Sequence, residues 1–258
     1  MSFFSDISAI QNIVYIFSSI LFISGIKMLG KEDTAVRGNF LSASAMFIAV
    51  AVTIINVVNP VIVLIGVSIG AVIGSLIALR VKMTSIPEMV ALFNGFGGLA
   101  TFFIAWSEFN AIPDNVFQYI VIMLTTYIGG VTFSGSIIAY GKLSEKLKVK
   151  KDSFVTKIFT TFFYASILFL VYSIGFTEII ELPINFYTVL LILTLLGGIG
   201  FVIPIGGGDM PVVISLLNSF SGIAAAFAGL LLLNNVLIVA GSLAVSYTHL
   251  TLPTRRFV

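Results

Sequence analysis

Long apolar segments separated by short polar connections run along the whole chain. Most of them approach or exceed the roughly 18 to 20 apolar residues that a helix needs to cross a bilayer. Nine segments can be drawn, at 8–30, 40–57, 61–80, 86–106, 115–141, 157–175, 185–204, 210–232 and from 236 onward. The pattern predicts an all-α polytopic membrane protein, a helical bundle of about nine transmembrane segments. The ninth is expected to be truncated, because its apolar run extends only from Val236 to Val245.

The connections between these segments alternate in basic charge. One set, which includes the N-terminus, 58–60, 107–114, 176–184 and 233–235, contains no Lys or Arg. The other set carries Lys27, Lys31, Arg37, Arg80, Lys82 and the run from Lys142 to Lys157. By the positive-inside rule the basic connections are cytoplasmic and the N-terminus is outside. The basic run is interpreted as an anchor on anionic lipid, with a docking surface for a soluble partner as the alternative.

Composition narrows the function classes. Hydrophobic residues make up 59% of the chain and charged residues 9%, which excludes a soluble single domain. With no cysteine, a disulfide framework and a thiolate metal site are both excluded. No Walker loop, zinc motif or nucleophile triad is present, and no nucleic-acid partner is expected. The interiors of the spans contain no Asp, Glu, Lys or Arg, and His249 lies near the end of the chain, so an obvious proton carrier is absent.

Two stretches of the chain are related by an internal repeat. Residues 87–100 recur as 211–224 with six of fourteen positions identical, and each copy places an Asn, Asn94 or Asn218, seven residues after a Pro. Both helices are expected to start on the cytoplasmic side, with each Asn roughly 10–14 Å below the membrane edge. An amide there either makes a structural interhelical hydrogen bond or lines a polar pathway. The matching positions favour the pathway.

Other polar residues border this repeat. Ser85 and Glu88 fit a capping box at the start of the first repeat helix, and Asp209 takes the equivalent cap position in the second. Gly206, Gly207 and Gly208 precede Asp209, and three glycines are unnecessary for a simple cap, so a flexible loop with a mobile carboxylate is expected. Ser136 either bonds its own helix or lines the same pathway as the two Asn residues.

Small residues also recur at helical spacing. Such stripes allow the backbones of neighbouring helices to approach closely in lipid, and helix packing is the simpler interpretation of them. A surface that must slide or bend is the alternative. The stripes are Gly66, Gly70 and Gly74; Gly129, Gly130 and Gly135; and Gly197, Gly198 and Gly200.

Several of these motifs together resemble a known family. Ser85-Ile-Pro-Glu-Met-Val-Ala-Leu-Phe-Asn94, Phe133-Ser-Gly-Ser136 and Gly206-Gly-Gly-Asp209-Met-Pro, in this order, are similar to the membrane domain of the beta subunit of proton-translocating NAD(P) transhydrogenase. The resemblance covers residues 5 to 244 and includes the nine-span topology. It implies that the domain conducts protons, coupled to hydride transfer between NAD(H) and NADP(H) on soluble domains.

The resemblance also implies roles for individual residues. Asn94, Ser136 and Asn218 would line the proton pathway, and Asp209, with its three glycines and Glu88, would belong to the cytoplasmic gate. Some family members have a proton-binding His at the position of Asn94 and others place it on a different helix; in this chain a partner subunit could supply that group. The alternative function is a secondary transporter or channel with its substrate site at Asn94 and Asn218, and a third possibility is a purely structural subunit.

The resemblance also implies the other parts of the complete transhydrogenase. The NAD(H) site would lie on an alpha subunit and the NADP(H) site on a soluble domain after the ninth span, so 1–244 would bind no cofactor itself. A dimer of alpha–beta units in the bacterial inner membrane is expected. Residues 245–258 are expected to depart from the family pattern and are interpreted as a non-native tail that replaces the end of the ninth span and the NADP(H) domain.

Overall fold

The computed structural model describes residues 2–55, 57, 59–111, 113, 115–149, 153–176 and 184–251. Within these ranges the chain forms α-helices and short 3-10 turns and contains no strand. The α-helices are α1 Ser2–Leu29, α2 Ala35–Ile55, α3 Pro60–Arg80, α4 Ile86–Asn110, α5 Val116–Leu143, α6 Phe154–Phe176, α7 Ile184–Val202, α8 Met210–Leu231 and α9 Asn235–Thr251. By length and composition α1 to α8 are able to cross a membrane, and α9 is a shorter apolar helix. The predicted all-α polytopic fold is confirmed.

The chain divides into two compact units, of which the first comprises 1–81. Its helices α1 and α2 pack closely where two glycines meet: a Cβ on Gly25 would lie 2.9 Å from the carbonyl oxygen of Gly38, and one on Gly38 would lie 2.7 Å from that of Gly25. Helix α3 differs, because a Cβ on any glycine of its stripe would meet nothing within 4 Å. Among the described residues, no helix packs closely against this glycine stripe, so the structure gives no support to the packing interpretation of it.

The second unit comprises the helices from α4 onward, and α5 lies at its centre. This helix packs against α4, α7 and α8. Its glycines allow the approach: a Cβ on Gly135 would lie 3.1 Å from Val202 of α7 and 3.2 Å from Leu217 of α8. The second and third glycine stripes therefore serve helix packing, as their simpler interpretation predicts.

Each repeat helix crosses the helix that follows it at a pair of glycines. In the first copy a Cβ on Gly98 of α4 would lie 2.8 Å from the carbonyl oxygen of Gly129 of α5. In the second copy a Cβ on Gly222 of α8 would lie 2.8 Å from the carbonyl oxygen of Gly241 of α9. Gly98 and Gly222 occupy equivalent positions of the repeat. The repeat is thus a pair of helical hairpins, α4–α5 and α8–α9.

Two apolar clusters fill the core of this unit. The first lies towards the end of α4 and the start of α5, and includes Ala105, Phe109, Val121, Ile122, Met123, Leu170, Tyr187, Leu190 and Leu231. The second lies towards the start of α4 and α8 and the end of α5, and includes Ala91, Ala139, Val202, Met210, Val213, Ile214 and Leu217. The middle of α4, α5 and α8 lies between the two clusters.

The two repeat helices start where the sequence predicts, but the predicted capping hydrogen bonds are not formed. A 3-10 turn precedes each helix, Met83–Ser85 before α4 and Gly207–Asp209 before α8, and each helix has a Pro in its first turn. Ser85 and Asp209 are the N-cap residues, as predicted. Neither side chain makes a capping hydrogen bond, so the capping box was wrong. Their backbones have ψ of 7° and 0°, outside the extended region from which a cap side chain reaches back to the helix.

Candidate functional site

The side chain of Asn94 joins three helices in the middle of the second unit. Its Nδ2 donates a hydrogen bond to Oγ of Ser136 on α5, over 3.0 Å. Its Oδ1 accepts one from Oγ of Ser221 on α8, over 2.7 Å, and the same hydroxyl lies 3.3 Å from the backbone carbonyl oxygen of Asn94. We call these three residues the Asn94 network. Asn94 is 9% exposed and Ser136 is fully buried, whereas Ser221 is half-buried.

Close packing makes this network possible. Asn and Ser have short side chains, and a hydrogen bond between them requires the backbones of α4 and α5 to approach closely. A Cβ on Gly95 would lie 3.1 Å from Cβ of Ser136, and the crossing of Gly98 and Gly129 lies one turn further along α4. The small residues around Asn94 therefore set the spacing that lets its amide reach the hydroxyl of Ser136.

Ser136 differs from most of the other buried hydroxyls of α5. Thr125, Thr132 and Ser134 donate to carbonyl oxygens four residues earlier in the same helix, at 2.7, 2.6 and 3.0 Å. Such bonds pair the hydroxyl within its own helix and do not link that helix to a neighbour. The hydroxyl of Ser136 instead accepts from α4, so the interpretation of Ser136 as a residue bonded to its own helix does not describe this structure.

The sequence analysis missed Ser221. It occupies the position equivalent to Gly97 of the first copy, and a Cβ on Gly97 would lie 3.9 Å from Oγ of Ser221. The second copy therefore provides the hydroxyl, through Ser221, and the first copy leaves space beside that hydroxyl, because Gly97 has no side chain. A comparison of the copies for their differences, as well as their identities, could have found it.

Asn218 lies on α8 three residues before Ser221, and residues with this spacing share a face of a helix. Its side chain is half-buried. The structure thus brings Asn94 and Ser136 into direct contact and places Asn218 one turn nearer the start of α8. Towards either end of these helices the two apolar clusters enclose this polar level.

The glycine loop before α8 is open. Gly206, Gly207, Gly208 and Asp209 are all exposed, and a Cβ on any of the three glycines would meet nothing within 4 Å. No described glycine has a positive φ. Neither packing nor a left-handed backbone requires glycine here in this conformation. Asp209 makes no ion pair with a described residue, and the same holds for Glu88, which lies half-buried in the first turn of α4.

Lys142 holds the segment that leads into this loop. Its Nζ donates to three backbone carbonyl oxygens at and beyond the end of α7, those of Val202 at 3.3 Å, Ile203 at 2.5 Å and Ile205 at 2.6 Å. A cation there also interacts favourably with the C-terminal end of the α7 dipole. Lys142 was interpreted as the first residue of the lipid anchor, but its ammonium group is turned inwards onto α7. It links α5, which carries Ser136, to the chain just before Gly206.

No three of the Asp, Glu and His side chains within the described ranges come together as metal ligands would.

Comparison with known proteins identifies the family. The model of the NAD(P) transhydrogenase beta subunit matches residues 11–252. The chain belongs to this family.

Curated relatives agree with the family match. The NAD(P) transhydrogenase subunit beta of Rhodospirillum rubrum is 34% identical over 241 residues, which cover 89% of this chain and 51% of the relative. A second sequence of that subunit, from a named strain of the same species, gives the same identity and coverage. The chain therefore spans about half the length of the curated relatives it matches. The resemblance to the transhydrogenase beta subunit that these motifs suggested from the sequence is confirmed.

Proposed function

We propose that the chain is the proton-conducting membrane domain of a proton-translocating NAD(P) transhydrogenase. The observation that carries this proposal is the Asn94 network, a hydrogen-bonded chain across α4, α5 and α8 whose Asn94 and Ser136 are buried and which lies between two apolar clusters. Polar side chains in the middle of membrane helices either join the helices by hydrogen bonds or mark an ion or proton pathway, and the matching positions of Asn94 and Asn218 in the repeat favour the pathway. Asn94, Ser136 and Asn218 line the pathway, and Ser221 joins them.

In the conformation described, apolar residues flank the network on both sides. Water reaches Ser136 only if one cluster opens, because apolar constrictions exclude water from a narrow path. Opening of one cluster at a time gives alternating access from the two membrane sides. The Gly206–Asp209 loop controls the cytoplasmic side, because it leads directly into Met210 and Val213 of the second cluster. The exposed glycines leave this loop free to adopt further conformations.

Replacement of the Ser136 hydroxyl tests the pathway. We expect Ser136→Ala in the complete enzyme to lower proton-coupled turnover by about tenfold or more, as the loss of a positioned proton-transfer group does. The measurement is proton uptake into liposomes during hydride transfer. Ser134→Ala is the matched control, since Ser134 is also buried on α5 but bonds its own helix. Equal proton uptake by the two variants would contradict the pathway.

The gate has a test of its own. Asp209→Asn keeps the shape of the side chain and removes its charge, and we expect it to reduce proton-coupled turnover by about five- to tenfold, equivalent to roughly 1 kcal/mol. Asp33→Asn is the control, because Asp33 is likewise an exposed acid in a 3-10 turn. Wild-type turnover in Asp209→Asn would exclude a gating role for its carboxylate.

The partners follow from the proposed function. An alpha subunit would supply the NAD(H) site and a soluble domain of the complete beta subunit the NADP(H) site, facing the Gly206–Asp209 loop. The assembly would be a dimer of alpha–beta units in a bacterial inner membrane. Since the network contains no titratable side chain, the proton-binding group would come from elsewhere in the complete enzyme. No observation favours the alternative of an independent secondary transporter.

A further inference from the structure

We propose that Asn94 and Ser221 form an orientational gate on the hydroxyl of Ser136, an inference that rests on the proposed function. Ser221 acts as a positioning residue: it fixes which end of the Asn94 amide faces Ser136. The direction of that amide decides whether the Ser136 hydroxyl is able to pass a proton along the pathway. The gate works without a change in the charge of any of the three residues.

The network has two complete hydrogen-bond arrangements. In the one described, Ser221 donates to Oδ1 of Asn94, and Nδ2 of Asn94 donates to Oγ of Ser136. A half-turn of the amide would exchange Oδ1 and Nδ2, so that Ser136 donates to Oδ1 and Nδ2 donates to Ser221. This exchange is possible because a hydroxyl both donates and accepts, whereas each end of an amide does only one of these.

The second arrangement leaves no proton of Ser221 unpaired. The backbone carbonyl oxygen of Asn94 lies 3.3 Å from the same hydroxyl and is its second acceptor. Ser221 therefore keeps a hydrogen bond whichever way the amide points. Because even a half-buried hydroxyl loses free energy when its proton is unpaired, this second acceptor reduces the difference in energy between the two arrangements.

The two arrangements differ in what Ser136 is able to do. In the first, Oγ of Ser136 accepts from Asn94 and retains one lone pair and its own proton. A hydronium ion on one side then gives a proton to that lone pair and becomes water, while the hydroxyl proton passes to a water on the other side, which becomes hydronium. One O–H bond forms as another breaks on the same oxygen, and one positive charge moves across. In the second arrangement the hydroxyl proton is held by Oδ1 of Asn94, an amide oxygen that cannot pass it on.

Ser221 biases the gate towards the first arrangement because it donates over a short distance, 2.7 Å, to Oδ1. Without that donor, Oδ1 of Asn94 would have to take its hydrogen bond from Ser136, which closes the gate. The neighbouring Ser219 offers a control for Ser221. It is fully buried on the same helix, but its hydroxyl bonds Ser215 of its own helix at 3.2 Å.

The test compares four variants in the complete enzyme reconstituted into liposomes. Ser221→Ala is expected to lower proton uptake during hydride transfer by about five- to tenfold and to raise the ratio of rates in H2O and D2O, since proton passage then limits turnover. Ser221→Thr keeps the hydroxyl and is expected to stay within about twofold of wild type, as is Ser219→Ala. Should Ser221→Ala fail to assemble, Ser221→Cys decides instead, because it preserves the volume and donates more weakly.

Two outcomes overturn the gate. One is proton uptake by Ser221→Ala, or by an assembled Ser221→Cys, that equals that of Ser219→Ala. The other is a loss in Ser221→Ala with no change in the solvent isotope ratio, which indicates a structural role for Ser221 alone. Failure of the proposed function looks different, because Ser136→Ala would then conduct protons as well as Ser134→Ala. A pathway that needs Ser136 but is indifferent to Ser221 leaves the function intact and removes only the gate.

Discussion

The double substitution Gly98→Ala and Gly129→Ala is expected to lower the midpoint of thermal unfolding in detergent by about 5–10 °C. The reason is that overpacking against backbone lowers the free energy of unfolding by about 3 kcal/mol. A Cβ on Gly129 would lie 2.9 Å from the carbonyl oxygen of Gly98 and 3.0 Å from the backbone nitrogen of Phe102. Backbone atoms in a helix cannot rotate away as a side chain does. Helices α4 and α5 would therefore have to move apart.

The functional consequence of this separation is as important as the stability loss. A wider spacing would stretch the 3.0 Å hydrogen bond between Asn94 and Ser136, so proton uptake should fall even in the fraction of enzyme that stays folded. Gly70→Ala is the control, because a Cβ there would meet nothing within 4 Å. An unfolding midpoint for the double variant that equals that of Gly70→Ala would show that the glycine crossing is not needed.

Lys142→Met is expected to loosen the segment that leads into the glycine loop. Three carbonyl oxygens, those of Val202, Ile203 and Ile205, would lose their shared donor, at a cost of about 1–3 kcal/mol. Hydrogen exchange of the amides in 203–209 should accelerate, and proton-coupled turnover should fall by about tenfold as the gate loses its link to α5. Arg is not equivalent here, because its planar guanidinium group cannot converge on three carbonyls as an ammonium group does.

Lys146→Met is the matched control for this link. Lys146 belongs to the same basic run, but its Nζ is exposed, 3.5 Å from Oη of Tyr140 and 5.5 Å from the centre of that ring. Contacts of this kind contribute about 1 kcal/mol or less. If the amides of 203–209 exchange hydrogen at the same rate in both variants, the hydrogen bonds of Lys142 do not stabilise this segment.

Together these two contacts connect the Gly206–Asp209 loop to the Asn94 network through α5. Lys142 at one end of the helix holds the chain before Gly206, and Ser136, less than two turns away, accepts from Asn94. A displacement of the loop would pull on Lys142 and so on α5. If the proposed gating holds, the short distance between the two residues would make α5 the direct route from the Gly206–Asp209 loop to the Asn94 network.

The sequence by itself determined the class of protein and the location of its important stretches. Nine apolar segments required nine helices, because only a helix satisfies every backbone polar group within an isolated membrane segment. The motifs around Asn94, Ser136 and Asp209 identified the family, and the repeat singled out Asn94 and Asn218. Each of these conclusions depends on spacing along the chain or on the amino acids themselves, which a sequence displays directly.

Only the tertiary structure decided which side chains meet. The two partners of Asn94 lie 42 and 127 residues away, and their selection depends on which helices are neighbours and how each is rotated about its axis. The same reason explains Lys142, whose charge suggested lipid but whose position beside the end of α7 gave it three carbonyls. Hydropathy has almost no power to set helix rotation when every face of a helix is apolar. In this protein, glycine crossings and a few hydrogen bonds set it instead.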